Sequence, residues 1–208
     1  MNLPVSFQTL ADDCHAETIA LRGGLARSAN AETSEALYLT SGFVFDSAEQ
    51  ADAAFAGDEP RFLYGRYANP TLAMLEERLR LLEGAEVCRT TATGMAAVFA
   101  AMASFLKSGD RVVACSTLFG SSLHILEKIL PKWGITVELV RPADMTAWTQ
   151  ALSTPAAAVF VETPTNPTLD VIDLRTLADL SHAAGAKLIV DNVVATPVLQ
   201  KPVTLGAD

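Results

Sequence analysis

The chain has 208 residues, 50% hydrophobic and 19% charged, which excludes a disordered or fibrous protein. With 15 Lys and Arg against 24 Asp and Glu the formal net charge is −9, and no basic patch interrupts it, so neither nucleic acid nor an anionic membrane surface is an expected partner. Cys14, Cys88 and Cys115 are odd in number and far apart, without a Cys-x-x-Cys pair, which argues against a disulfide framework or a bound metal. The longest apolar run, Ala96 to Leu106, is too short to cross a bilayer. The first thirty residues carry Asp12, Asp13 and Glu17 and no apolar signal core, so a cytoplasmic protein is expected.

Residues 1–60 show no sustained period. They hold a short amphipathic stretch around Thr18–Leu25, then the aromatics Tyr38, Phe43, Phe45 and Phe55. The segment reads as an N-terminal arm that packs on a neighbouring subunit. Asn69 and Pro70 predict a helix start, as cap and first helical residue. Leu72, Leu75, Leu79 and Leu82 then form one apolar stripe, and Gly84 ends it.

Beyond that point short apolar runs alternate with helical stretches. Strands are predicted near Val87–Thr91, Arg111–Cys115, Thr136–Val140, Ala157–Val161 and Lys187–Val190. Helices are predicted near Met95–Leu106, Ser121–Trp133, Met145–Leu152 and Leu174–Ala184, the last capped by Asp173. This alternation implies right-handed crossovers and a mostly parallel sheet sandwiched by helices. Ligands of such sheets bind beyond the carboxyl ends of the strands, so the loops after each strand are where chemistry is sought.

Four segments stand out. Thr90 to Met95 joins a strand to an Ala-rich helix, and Gly94 with the free N–H groups of the helix start could cradle an anion; most such sequences are plain βα turns. No Gly-Lys-Ser/Thr and no dinucleotide glycine fingerprint follow, which disfavours ATPase and nicotinamide readings. Glu162-Thr163-Pro164-Thr165-Asn166-Pro167 is a stiff loop holding Asn166, or simply a rigid turn. Asp191 ends an apolar strand, where an acid needs a cationic partner or caps the next helix. Tyr64-Gly65-Arg66-Tyr67 sets an Arg among aromatics, suited to a phosphate or to plain solvent. The three histidines and five lysines show no triad, metal spacing or strand-end placement.

Taken together and in order, these loops resemble the Cys/Met-metabolism family of pyridoxal-phosphate (PLP) enzymes from about Tyr38 to Asp208. Leu118-Phe119-Gly120-Ser121-Ser122, Leu130-Pro131-Lys132-Trp133-Gly134 and Val190-Asp191-Asn192-Val193 are most similar to members acting on O-succinylhomoserine with sulfide. The resemblance implies an α/β fold, the large domain of a fold type I PLP-dependent transferase, with an arm over residues 1–60 and a PLP-binding domain over 61–208. It implies that Tyr64 and Arg66 reach the PLP phosphate of a neighbouring subunit, and that the backbone of Gly94 and Met95 binds the phosphate of their own. Phe119 would stack on the ring, Asn166 would bond its phenolic oxygen, and Asp191 would pair with its pyridine nitrogen; Tyr64 and Asp191 are the catalytic candidates.

The resemblance further implies γ-replacement on acylated homoserine, small-molecule partners and a homotetramer built from dimers with shared active sites. Cystathionine γ-synthase and the cystathionine or methionine γ-lyases are alternatives, and a non-catalytic PLP-binding fragment is a reading of another class. Two departures from the family pattern matter. Phe119 stands where many members carry Tyr, which removes a proton donor from the stacking position. The family's Schiff-base lysine follows the stretch that Gly206-Ala207-Asp208 leads into, so it is expected outside this chain and no lysine here is nominated.

Overall fold

The computed structural model describes residues 4–11 and 13–208; residues 1–3 and Asp12 of the arm lie outside the described residues. The chain divides into two compact units, Met1–Thr90 and Thr91–Asp208.

Among the described residues the first unit holds three helices, α1 (Ala16–Arg22), α2 (Ala48–Ala56) and α3 (Pro70–Glu83). The stretch predicted as an irregular arm thus contains two of them. Helix α2 forms without an apolar period because its start is capped twice: the Ser47 hydroxyl accepts from the Gln50 N–H, and the Gln50 side chain accepts from the Asp46 N–H. Helix α1 ends against α3 through Gly24, whose φ is +70°. A Cβ there would lie 2.6 Å from the Met74 carbonyl oxygen and 2.7 Å from the Arg78 nitrogen, so the close approach needs glycine.

Helix α3 starts and stops as predicted. The Asn69 side chain accepts from the Thr71 N–H, Pro70 follows, and Gly84 adopts the left-handed conformation. Its buried side differs from the predicted stripe: Ala73, Met74 and Leu82 are buried, whereas Leu72 and Leu75 are 43% and 44% exposed. The buried Asn69 amide also donates to the carbonyls of Tyr38 and Thr40, which ties the preceding aromatic segment to this helix start.

The second unit is built on a parallel sheet in the order β2-β1-β3-β4. Its strands are β1 (Arg111–Cys115), β2 (Thr136–Val140), β3 (Ala158–Glu162) and β4 (Lys187–Asp191). All three pairings are parallel. The central strands β1 and β3 are almost wholly buried and read as continuous apolar runs, as strands covered on both faces must. Around them pack α4 (Gly94–Ala103), α5 (Gly120–His124), α6 (Met145–Ala151), α7 (Leu174–Ala183) and α8 (Thr196–Leu199). Met102, Leu126, Trp148, Phe160, Leu177 and Leu188 fill the core.

Two predicted elements are corrected here. Val87–Thr91 is not a strand; the Thr90 N–H and hydroxyl both donate to the Glu76 carboxylate on α3, which takes the place of a neighbouring strand. The single helix predicted over 121–133 is three pieces: α5, a π-helical turn over Ile125–Ile129 and a 3-10 turn over Leu130–Trp133. Pro131 supplies the reason, since its ring would clash with the carbonyl four residues back in a continuous α-helix. The wider turn rotates the stripe, so Leu126 and Leu130 are buried while Trp133 is 44% exposed.

Candidate functional site

The carboxyl ends of β1, β3 and β4 gather three of the predicted residues in the second unit. Phe119 follows β1 and is the N-cap of α5, and the residue is 46% exposed. Asn166 lies in the loop after β3 with an exposed side chain. Asp191 ends β4, and in the β3–β4 register it stands directly beside Glu162.

Glu162 joins the first two. It is the last residue of β3 and only 1% exposed. One carboxylate oxygen accepts from the Phe119 N–H at 2.8 Å and the other from the Asn166 N–H at 2.9 Å. A buried carboxylate is tolerated only with such partners. Burial, the largest influence, pushes the Glu162 carboxyl up; the Phe119 N–H opposes the shift, the charge of Asp191 reinforces it, and the Asn166 N–H opposes it again. The net direction is upward.

A raised folded-state pKa has a definite sign in stability. The folded protein holds this proton more tightly than the unfolded chain, so the contribution is full below the ordinary carboxylate range and is lost as pH rises through the folded value. Urea unfolding of wild type and Glu162→Gln should therefore show wild type losing ground to the variant as pH rises from about 4.5. A stability difference that stays flat with pH would contradict the shift.

A second fastening joins the loops after β3 and β4. The Gln200 side-chain amide donates to the Thr163 carbonyl at 3.0 Å and to the Asn192 side-chain oxygen at 2.9 Å, and the Asn192 amide donates back to the Gln200 carbonyl. Within the β3 loop, Thr165 and Thr168 share a hydroxyl contact of 2.7 Å, and the Asp170 N–H closes on Thr165. The peptide bonds before Pro164 and Pro167 are cis.

Asp191 departs from the sequence expectation. It is half-buried, accepts from the Val193 N–H at 3.1 Å and caps no helix. The fully buried strand-end acid is Glu162, which the sequence reading passed over although β3 ends on it after four apolar residues. The rule applied to Asp191, that an acid on a buried strand needs a partner, would have found Glu162.

At the start of α4 the Thr93 hydroxyl accepts from the Ala96 N–H at 3.1 Å. The N–H groups of Gly94 and Met95 precede the first intrahelical acceptor. A Cβ on Gly94 would meet nothing within 4 Å, so the space beside it is open. Helix α4 packs on α5, whose cap is Phe119.

Tyr64 and Arg66 belong to the first unit. Tyr64 pairs with Gly42 in an isolated antiparallel bridge, and the exposed Arg66 guanidinium lies 5.9 Å from the Tyr64 ring centre and 5.4 Å from that of Tyr67. This places a cation with no ion-pair partner among the described residues on a small aromatic platform.

The family model for Cys/Met metabolism PLP-dependent enzymes matches residues 17–208. The chain belongs to that family. An O-succinylhomoserine sulfhydrylase of Mycobacterium tuberculosis is 48% identical over 201 residues, covering 97% of this chain and 50% of that protein. An L-methionine γ-lyase of Fusobacterium nucleatum is 37% identical over 192 residues, covering 92% and 49%. A solved structure from Campylobacter jejuni, described as an O-acetylhomoserine (thiol)-lyase and carrying a pyridoxyl-lysine phosphate, superposes with a TM-score of 0.86 at 28% identity, covering 94% and 48%. The chain thus spans about half the length of the relatives it matches, and its fold is that of fold type I PLP enzymes.

The groups present fit PLP. Free N–H groups at a helix start suit its phosphate, the exposed Phe119 side chain suits its flat face, and one amide with one carboxylate at neighbouring strand ends suits its phenolic oxygen and its pyridine nitrogen. Among the described residues no group of three or more His, Cys, Asp or Glu could hold a metal ion, and no helix is long and apolar enough to cross a membrane.

Proposed function

We propose that the protein containing this chain carries out PLP-dependent γ-replacement, converting O-succinylhomoserine and sulfide to homocysteine and succinate. The observation that carries the reading is the clustering of Phe119, Asn166 and Asp191 at adjoining strand ends, in a chain 48% identical to a sulfhydrylase of that specificity. PLP, when bound, supplies an electron sink for the carbanion left by loss of the substrate Cα proton.

Each residue has a bounded task. Gly94 and Met95 hold the phosphate through backbone N–H groups, and the helix start favours its negative charge. Phe119 lies against the ring and excludes water from that face. Asn166 donates to the phenolic oxygen. Asp191 keeps a proton on the pyridine nitrogen, because a carboxylate beside that nitrogen stabilises its charged form. Tyr64 and Arg66 serve the phosphate of a neighbouring subunit, Arg66 as a charge-assisted donor. That sharing requires at least a dimer; a homotetramer in the cytoplasm is the proposed assembly and place, and sedimentation of an active monomer would contradict it.

Phe119 bears on the choice between replacement and lysis. A thiolate leaving group benefits from a nearby acid, whereas succinate departs as a stable anion, and phenylalanine has no proton to give. Phe119→Tyr is therefore expected to raise methanethiol release from methionine and cysteine release from cystathionine by at least about tenfold relative to γ-replacement. Product analysis with O-succinylhomoserine and either sulfide or cysteine separates the sulfhydrylase from a cystathionine γ-synthase. Efficient lysis by wild type with no acyl-homoserine turnover would refute the reading.

A further inference from the structure

We propose that Glu162 is the positioning residue that sets the gap between Phe119 and Asn166, and with it the slot that receives the PLP ring. The inference rests on the cofactor reading above and adds to it a residue that touches neither cofactor nor substrate. Three observations carry it. Glu162 is 1% exposed at the end of a strand buried along its whole length, so its position is set by the core and not by solvent. Its two oxygens are divided between two loops, at 2.8 Å to the Phe119 N–H and 2.9 Å to the Asn166 N–H. Both loop residues expose their side chains while their backbones are held from below.

The residue type matters as much as the place. A carboxylate offers two acceptors and no donor, so it can take both N–H groups at once. A glutamine would accept one of them and turn its own NH2 on the other. An aspartate keeps the charge but is one methylene shorter and reaches only one loop. Phe119 has no side-chain cap on α5, so the Glu162 bond is what fixes its backbone N–H.

Amide hydrogen exchange and visible circular dichroism of the whole protein test the idea, with PLP bound and after PLP is stripped. In Glu162→Gln, exchange at Phe119 or Asn166 should rise about tenfold while amides within β1 and β3 keep their wild-type rates. The circular dichroism band of bound PLP should change, PLP release should quicken about tenfold, and Glu162→Asp should fall between the variant and wild type. If Glu162→Gln does not fold, Glu162→Asp carries the same test. Unchanged exchange at both amides, or a rise shared equally with the core strands, would overturn the clamp. Failure of wild type to bind PLP would overturn the function proposed above, whereas exchange in the stripped protein decides the clamp separately.

Discussion

Asp191→Asn is expected to lower turnover of the PLP-loaded enzyme by about 10²–10³-fold, the loss typical of one preorganised electrostatic partner. Asparagine matches aspartate in shape but carries no charge, so it cannot hold a proton on the pyridine nitrogen. The loss belongs in kcat, because the groups proposed to hold the phosphate, the ring face and the phenolic oxygen are left in place. The β4 backbone should be undisturbed, since among the described residues the Asp191 side chain makes only a local bond to the Val193 N–H. Steady-state kinetics at saturating PLP, with occupancy read from absorbance, checks the expectation; kcat within threefold of wild type at full occupancy would remove Asp191 from the mechanism. Because the charge of Asp191 helps push the Glu162 carboxyl up, the same variant should ease that shift.

Trp148→Ala should cost about 3–5 kcal/mol of stability, the range for deleting a large aromatic from a close-packed core. Trp148 lies on α6 with no exposed surface and belongs to the cluster that includes Phe160, Leu177 and Leu188. Its indole N–H is buried without a hydrogen-bond partner, so Trp148→Phe removes an unsatisfied donor along with part of the ring. Those two effects oppose, and the phenylalanine variant should lose less than about 2 kcal/mol. Chemical denaturation of the three proteins measures both differences. An alanine variant within 1 kcal/mol of wild type would show that this part of the core repacks freely.

The parts of the fold that were legible in the sequence share one cause. Strands β1 and β3 are short apolar runs between breakers, the pattern that parallel strands under two layers leave in the chain, whereas the edge strand β2 shows the alternation of a half-exposed strand. Asn69, Pro70 and Gly84 delimit α3 through local geometry alone, so its ends were readable while its buried face was not. Leu72 and Leu75 look like core by period, yet Ala73 and Met74 are the side chains that fit where α1 closes on α3 through Gly24. Val87–Thr91 has the composition of a strand, but pairing is a tertiary matter and Glu76 captures Thr90 instead. At the site, the groups proposed to meet the ligand were visible because loops after strands draw attention. The burial of Glu162 was within reach of the same strand-end rule, but its bridging of two loops was not, because its partners are backbone N–H groups 43 and 4 residues away, which no side-chain motif records.

The amide fastening among Asn192, Gln200 and Thr163 has a consequence for how the site behaves in acid. None of its groups titrates, so the loops bearing Asn166 and Asp191 keep their mutual placement at any pH the fold survives. The backbone N–H groups of Phe119 and Asn166 both hang on a carboxylate, that of Glu162. Acid puts a proton on one of two oxygens that both need to accept, even as it relieves the burden of a buried charge. The tie between the β3 and β4 loops is thus pH-blind while the tie from Glu162 to the Phe119 and Asn166 N–H groups is not, so acidification should loosen those two backbone bonds while the two loops stay fastened to each other.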